Sequence, residues 1–118
     1  MKISDIELLP DRLRTAREDF LEKDMKRETL NRNIEKLKLQ TKANVASEKD
    51  DMGKNKYPNE TQRDAETLNR LYENREYQRH LAELDATKLD LEKSKIEIQH
   101  LSERLDTART LAMLGWKL

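Results

Sequence analysis

Residues 6–37 read IELLPDRLRTAREDFLEKDMKRETLNRNIEKL, and the apolar side chains in this stretch recur at alternating intervals of three and four residues. The apolar positions are Ile6, Leu9, Leu13, Ala16, Phe20, Leu30, Ile34 and Leu37. Two charged residues, Lys23 and Arg27, occupy the same spacing in the middle of the run. A repeat of this kind places its side chains along one stripe of an α-helix, which is typical of a coiled coil.

The second half of the chain carries a similar stripe. Its members are Leu84, Leu91, Ile98, Leu101, Leu105, Ala108 and Ala112. Between the two stripes, Gly53 and Pro58 stand among turn-forming residues. Two heptad-patterned helices around one break predict an all-α fold. We expect a long antiparallel two-helix coiled-coil hairpin that assembles into a dimeric helical bundle.

The segments of this single domain follow from its helix signals. We expect an N-terminal arm over residues 1–10, helix 1 over 11–47, a connecting loop over 48–59, helix 2 over 60–114 and a C-terminal tail over 115–118. Pro10 favours a helix that restarts there, because proline fits a first turn and clashes inside a helix. Asn59 with Gln62 forms a capping pattern ahead of helix 2, and Gly115 supplies a stop.

The composition limits the class of protein. Charged residues make up 41% of the chain and hydrophobic residues 35%, which suits a thin two-helix seam better than a thick core. The formal net charge of zero does not favour attraction of the whole chain to nucleic acid or to a membrane. There is no cysteine for a disulfide or a thiol nucleophile. We expect no signal peptide over residues 1–10, no membrane partner and a cytoplasmic location.

The position of the break predicts which residues face one another. If the chain folds back near Gly53, Lys23 lies opposite Glu83. We expect these two side chains within salt-bridge distance, because a charge in a coiled-coil seam fixes its register. In the same register, residues beyond about Asp106 project past the end of helix 1.

Apolar side chains away from the seam predict protein interfaces. One set, the outer stripe, consists of Ala82, Ala86, Leu89 and Ile96. A second set, the C-terminal base, consists of Leu111, Met113, Leu114 and Trp116. A lone hairpin leaves the outer stripe in water, whereas two hairpins packed as a bundle bury it. For the C-terminal base, the alternative to an interface is that these side chains pack only against other residues of the same chain.

A basic stretch points to a different kind of partner. Residues 26–42 contain six basic and two acidic residues. The candidate nucleic-acid contacts are Arg32, Lys36, Lys38, Lys42 and Tyr57. Cations of this kind bind phosphates, and the tyrosine ring could stack on a base. Acidic residues on the facing part of helix 2 leave a salt-bridged coiled-coil surface as the alternative reading.

The sequence offers little for catalysis or metal binding. Glu97 and His100 form one Glu-x-x-His step, whereas ferritin-like sites need two such steps and two further glutamates. No serine lies in a nucleophile motif, and Gly53-Lys54 lacks the remainder of a phosphate loop. We therefore expect no enzyme activity, no metal and no cofactor.

A set of residues between positions 57 and 112 forms a recognisable pattern. The set is Tyr57, Pro58, Asn59, Glu60, Arg63, Leu71, Tyr77, Gln78, Leu81, Leu84, Ile96, Glu97 and Leu101. This part of the chain resembles small coiled-coil proteins of bacterial phages and prophages. The resemblance implies a phage or prophage origin, placement in the host-cell cytoplasm, and a role beside DNA metabolism or against a host protein.

These observations favour a non-enzymatic protein–protein interaction module. In a phage setting, such a module would bind and inhibit a host or defence complex. The alternatives are an accessory DNA- or RNA-binding protein of a replication or recombination system, and a purely structural or assembly coiled coil. The expected partners are a second copy of the chain and another protein.

Overall fold

The computed structural model describes residues 3–115, with side chains described from residue 6 onward. Three helices account for most of this part: α1 spans Ile3–Ser47, α2 spans Glu60–Glu73 and α3 spans Arg75–Met113. The described residues contain no β-strand, although Lys49 and Asn55 form an isolated bridge within the connection. The predicted all-α class is confirmed.

The chain forms two compact units, and each contains helices that pack antiparallel. Unit 1 comprises Met1–Lys26 and Thr87–Leu118. Its core is formed by Leu9, Leu13, Ala16 and Leu101, with Ile98 and Leu105 packed against them. Unit 2 comprises Arg27–Ala86, and its core cluster is Leu30, Ile34 and Leu84 with Tyr77 and Leu81 packed against it. Both cores use the apolar stripes that the 3-4 spacing predicts.

Helix α1 begins at Ile3 and continues through Pro10, so the predicted separate arm over residues 1–10 is wrong for residues 3–10. Proline inside a helix removes one backbone hydrogen bond and crowds the preceding turn. The neighbouring side chains offset this cost, because Leu9 is fully buried and Leu13 is 6% exposed. Burial on both sides of Pro10 therefore keeps the first turns helical.

The predicted single helix over 60–114 is two helices, because Asn74 interrupts it. Asn74 adopts an extended conformation, and its N–H donates to the carbonyl of Leu71 at 3.2 Å. Its Oδ1 accepts a hydrogen bond from the Tyr77 N–H at 3.0 Å, which caps the start of α3. Asparagine favours such local hydrogen bonds over a continuous helix. At the other end of α3, Gly115 has a positive φ of 77° and follows the last helical turn.

The predicted Lys23–Glu83 salt bridge is wrong. Within unit 1, Lys23 Nζ donates to Ser94 Oγ at 3.1 Å and pairs with Asp19 at 2.8 Å. Ser94 lies about three helical turns along the chain from Glu83. The facing residues are therefore displaced by about three turns from the predicted register.

Facing residues are also displaced from the predicted register in unit 2, at the connection between α1 and α2. In unit 2 the Glu48 carboxylate, directly after α1, binds Arg70, which lies about three turns into α2. Residues 49–59 therefore run back beside the first turns of α2, where Arg63 Nη1 donates to the carbonyls of Tyr57 and Pro58 at 3.3 and 3.0 Å. A turn at Gly53, whose φ is 77°, reverses the connection. The end of α1 thus meets Arg70 rather than the start of α2.

The buried seam generates a stability prediction. Replacing Leu30, which is 5% exposed, with alanine leaves a cavity and should lower the free energy of unfolding by about 2–5 kcal/mol. The matched control is Leu8→Ala on the same helix, since Leu8 is 47% exposed and its loss should cost only about 1 kcal/mol. Urea unfolding followed by circular dichroism measures both. Equal losses would contradict the assignment of Leu30 to the core.

Candidate interaction surfaces

The outer stripe lies on the solvent side of α3. Leu89 and Ile96 are 57% and 68% exposed, whereas Leu84 and Leu91 on the seam side are buried. Ala82 and Ala86 are also exposed. In unit 1, the outward face of α3 therefore presents two large aliphatic side chains, one heptad apart, to solvent.

The C-terminal base is only partly described. Leu111 is half-buried, while Met113 and Leu114 are 88% and 69% exposed. Trp116 lies outside the described residues, so its predicted place in an interface is untested. Ala108 is 5% exposed, which shows that packing continues past Asp106. The predicted overhang beyond Asp106 is therefore wrong at Ala108, because the true register brings later residues of α3 into the seam.

The sequence analysis missed a groove in unit 2 between α1 and α2, with a volume of about 480 Å³. This α1–α2 groove is lined by Lys38, Leu39, Lys42, Asp64, Thr67, Leu68, Leu71 and Tyr77. Leu71 is buried, whereas Leu39 and Leu68 are 65% and 61% exposed. The signal available in the sequence is the spacing of residues 64, 67, 68 and 71, which places them on one face of a helix.

The basic candidates lie on the exposed surface of α1. Lys38 pairs with Glu35 at 3.4 Å and Arg32 donates to Thr29 Oγ1 at 3.5 Å. Neither Lys36 nor Lys42 pairs with a carboxylate in the part of the chain that is described. Lys38 and Lys42 also line the α1–α2 groove, a placement that the sequence reading did not foresee.

Tyr57 lies beside two cations in unit 2. Its ring centroid is 5.7 Å from Lys56 Nζ and 5.9 Å from the guanidinium carbon of Arg70, and the residue is half-buried. Contacts between a cation and an aromatic face are favourable and occupy the surface that a base would stack on. Tyr57 therefore already has two cationic neighbours within its own chain.

Arg70 is the centre of a charge network at this end of unit 2. Its guanidinium binds the carboxylates of Glu48 and Glu66, the latter at 2.9 Å. Glu48 also pairs with Lys56 at 3.3 Å. The hydrogen bond from Arg70 holds the pKa of Glu48 below its ordinary value, with Lys56 contributing in the same direction. The network joins the end of α1, the connection and α2.

A polar layer interrupts the seam of unit 1. Thr87 and Ser94 are 3% and 4% exposed, and they continue the spacing of Leu84, Leu91 and Ile98. The hydrogen bond to Asp19 raises the pKa of Lys23, whose Nζ also reaches Ser94. Lys23 was recognised from the sequence as a charge in the seam. Its buried partner was not, because Thr87 and Ser94 appear only as gaps in the apolar pattern.

The two histidines do not form a metal centre. The described residues contain no group of three or more histidine, aspartate and glutamate side chains able to hold a metal ion. Glu97 and His100 line an open groove of unit 1 together with Asp11, Asp19, Arg12 and Arg104. His80 Nε2 lies 3.6 Å from the Glu76 carboxylate, and its buried Nδ1 has no hydrogen-bond partner among the described residues.

Comparison with known proteins gives no match: no family model, no curated protein and no solved structure is similar to this chain. Among the described residues, none of the helices combines the length and the apolar character that crossing a bilayer requires.

The Arg70 network predicts the titration of Glu48. Because the pKa of Glu48 is depressed, its contribution to stability is present above about pH 4.5 and is lost as the pH falls through the folded-state value. Replacing Arg70 with methionine should return the Glu48 pKa towards 4.5, as measured by NMR titration of the side-chain carboxyl carbon. Arg75→Met, at an exposed position of α3, is the control and should leave the Glu48 titration unchanged. A Glu48 pKa that does not move in Arg70→Met would contradict the network.

Proposed function

We propose that this chain is a non-enzymatic, self-associating protein–protein interaction module. The observation that carries the proposal is the exposure of large aliphatic side chains on the outward faces of both long helices. On α1 these are Leu21, Met25 and Leu39, and on α3 they are Leu89 and Ile96, each more than half exposed. Burying a side chain of this size contributes about 1.5–3 kcal/mol, so a few of them suffice to hold two helical surfaces together.

The first partner in this proposal is a second copy of the chain, packed as a helical bundle. A bundle buries apolar faces that a two-helix pair leaves in water. The resemblance to phage coiled-coil proteins extends the proposal to a second partner, a host or defence protein complex that the module binds and inhibits in the host cytoplasm. The C-terminal base, with Met113 and Leu114 exposed, offers this second partner a separate surface.

Self-association is tested by introducing charge into the outer stripe. Sedimentation velocity should show a dimer of the unaltered chain at micromolar concentration. Leu89→Glu with Ile96→Glu should raise the dissociation constant by about a hundredfold or more, because a buried carboxylate without a partner is costly. Circular dichroism should show unchanged helix content, since both positions are exposed.

The matched control is Gln62→Glu with Asn69→Glu, which adds the same charge to two exposed positions of α2 that are also seven residues apart and lie outside both the outer stripe and the α1–α2 groove. Its dissociation constant should remain within about twofold of that of the unaltered chain. A monomer at all accessible concentrations, or equal weakening by both pairs of substitutions, would contradict the proposal.

A second candidate function is nucleic-acid binding. It is favoured by one observation: Lys36 and Lys42 are exposed on α1 without carboxylate partners in the described residues, and Lys36 lies one turn from the exposed Arg32. Such cations can neutralise phosphates and release counterions. The nearby Lys38 is held only by an exposed pair with Glu35, which solvent weakens.

This second candidate is tested by fluorescence anisotropy with a labelled single-stranded oligonucleotide. If this chain binds nucleic acid, its affinity for the oligonucleotide should fall steeply as the salt concentration rises from about 50 to about 200 mM. Lys36→Glu with Lys42→Glu should abolish its binding, whereas Lys88→Glu with Lys95→Glu on α3 should have a smaller effect. If the chain is a protein–protein interaction module only, we expect no binding of the oligonucleotide that resists salt. Equal effects of the two pairs would indicate non-specific attraction.

A further inference from the structure

The walls of the α1–α2 groove carry opposite charges. Lys38 and Lys42 lie one turn apart on the α1 wall, and Asp64 lies on the α2 wall. Lys42 and Asp64 belong to no ion pair among the described residues, and the exposed pair between Lys38 and Glu35 is of the kind that contributes little. An occupant with an acidic flank and a basic flank would therefore satisfy charges that the chain leaves to water.

The outer stripe of α3 has the matching pattern. Between Leu89 and Ile96 along the helix, Glu92 lies on one flank and Lys93 on the other, because positions i+3 and i+4 lie on opposite sides of the line through i and i+7. Glu92 is held only by an exposed pair with Lys95 at 3.2 Å. The stripe thus combines apolar side chains with one acidic and one basic edge.

The dimensions of the two surfaces also agree. Leu89 and Ile96 are seven residues apart, which corresponds to about 10 Å along a helix. The groove wall from Asp64 to Leu71 covers the same number of residues, and therefore the same length. Leu39 and Leu68 lie on opposite walls of the groove and are both exposed, so each wall offers aliphatic surface to an occupant.

We propose that the outer stripe of one copy of the chain lies in the α1–α2 groove of a second copy. Leu89 and Ile96 pack against Leu39 and Leu68, Glu92 faces Lys42, and Lys93 faces Asp64. The charges also select the direction of the inserted helix. Turning it end for end would bring Glu92 beside Asp64 and Lys93 beside Lys42, and like charges at an interface are costly. This inference rests on the self-association in the proposed function and names the surfaces that carry it.

A charge swap tests the contact between copies. In the Lys42→Glu variant, the new carboxylate in the groove of one copy repels Glu92 of the other copy. In the Glu92→Lys variant, the new ammonium on the outer stripe of one copy repels Lys42 of the other copy. Each single substitution should raise the dissociation constant of the dimer by about tenfold in sedimentation velocity. The double variant Lys42→Glu with Glu92→Lys restores opposite charges in every contact, and its dissociation constant should return to within about threefold of the unaltered value.

A control swap carries the same changes outside both surfaces. Lys54→Glu with Asp51→Lys alters two exposed positions of the connection, and the dissociation constant should not change for either single or double variant. Because all four altered positions are exposed, circular dichroism should report the same helix content throughout. Effects of the control equal to those at Lys42 and Glu92 would overturn the proposed contact.

The remaining outcomes separate this inference from the proposed function. If the single substitutions have no effect, or if the double variant is not restored, the groove contact is overturned. Self-association then still stands, provided that Leu89→Glu with Ile96→Glu weakens the dimer. A monomeric unaltered chain overturns both.

Discussion

The contact between Glu48 and Arg70 determines which turns of the helices of unit 2 can face one another. An apolar seam with a 3-4 repeat buries similar surface in several registers displaced by one heptad, so periodicity alone does not choose among them. The register must therefore be determined by contacts that occur only once along the helices. Arg70 suits this role because it also binds Glu66 and lies over the Tyr57 ring, which fixes the connection against α2.

The polar layer of unit 1 has the same effect at a different place in the sequence. Ser94 is 4% exposed and accepts a hydrogen bond from Lys23. Sliding the helices by one heptad so that Leu101 replaces Ser94 would place the Lys23 ammonium against an aliphatic side chain and leave the Ser94 hydroxyl without this partner, and both changes are unfavourable. A polar residue at a seam position lowers the stability of the observed register relative to an apolar residue. It lowers the stability of the displaced registers further, because there it lacks its hydrogen-bond partner.

The features that follow from local pattern were predictable from the sequence, and those that depend on contacts between distant residues were not. The all-α class and the seam residues Leu13, Leu30 and Leu84 follow from spacing alone. The register does not, because it depends on a side-chain contact between residues 48 and 70. The break at Asn74 was missed since asparagine also occurs inside helices, and its capping role becomes visible only with the hydrogen bonds to Leu71 and Tyr77.

The same distinction between local pattern and distant contacts applies to the candidate surfaces. Leu89 and Ile96 could be placed on the outward face because a residue opposite a known seam is exposed whatever the register. The α1–α2 groove depends on where α2 lies beside α1, so only the structure reveals it. The same is true of the position of Tyr57, whose ring lies near Lys56 and Arg70.

A contact between a stripe on one copy and a groove on another joins two different patches, which has a consequence for assembly. If the second copy returns its own stripe to the groove of the first, the two contacts close a twofold dimer. If it does not, each added copy offers a free groove and a free stripe, and the chain grows into a filament. Closure doubles the number of buried aliphatic contacts without ordering a third molecule, so it is favoured at low concentration.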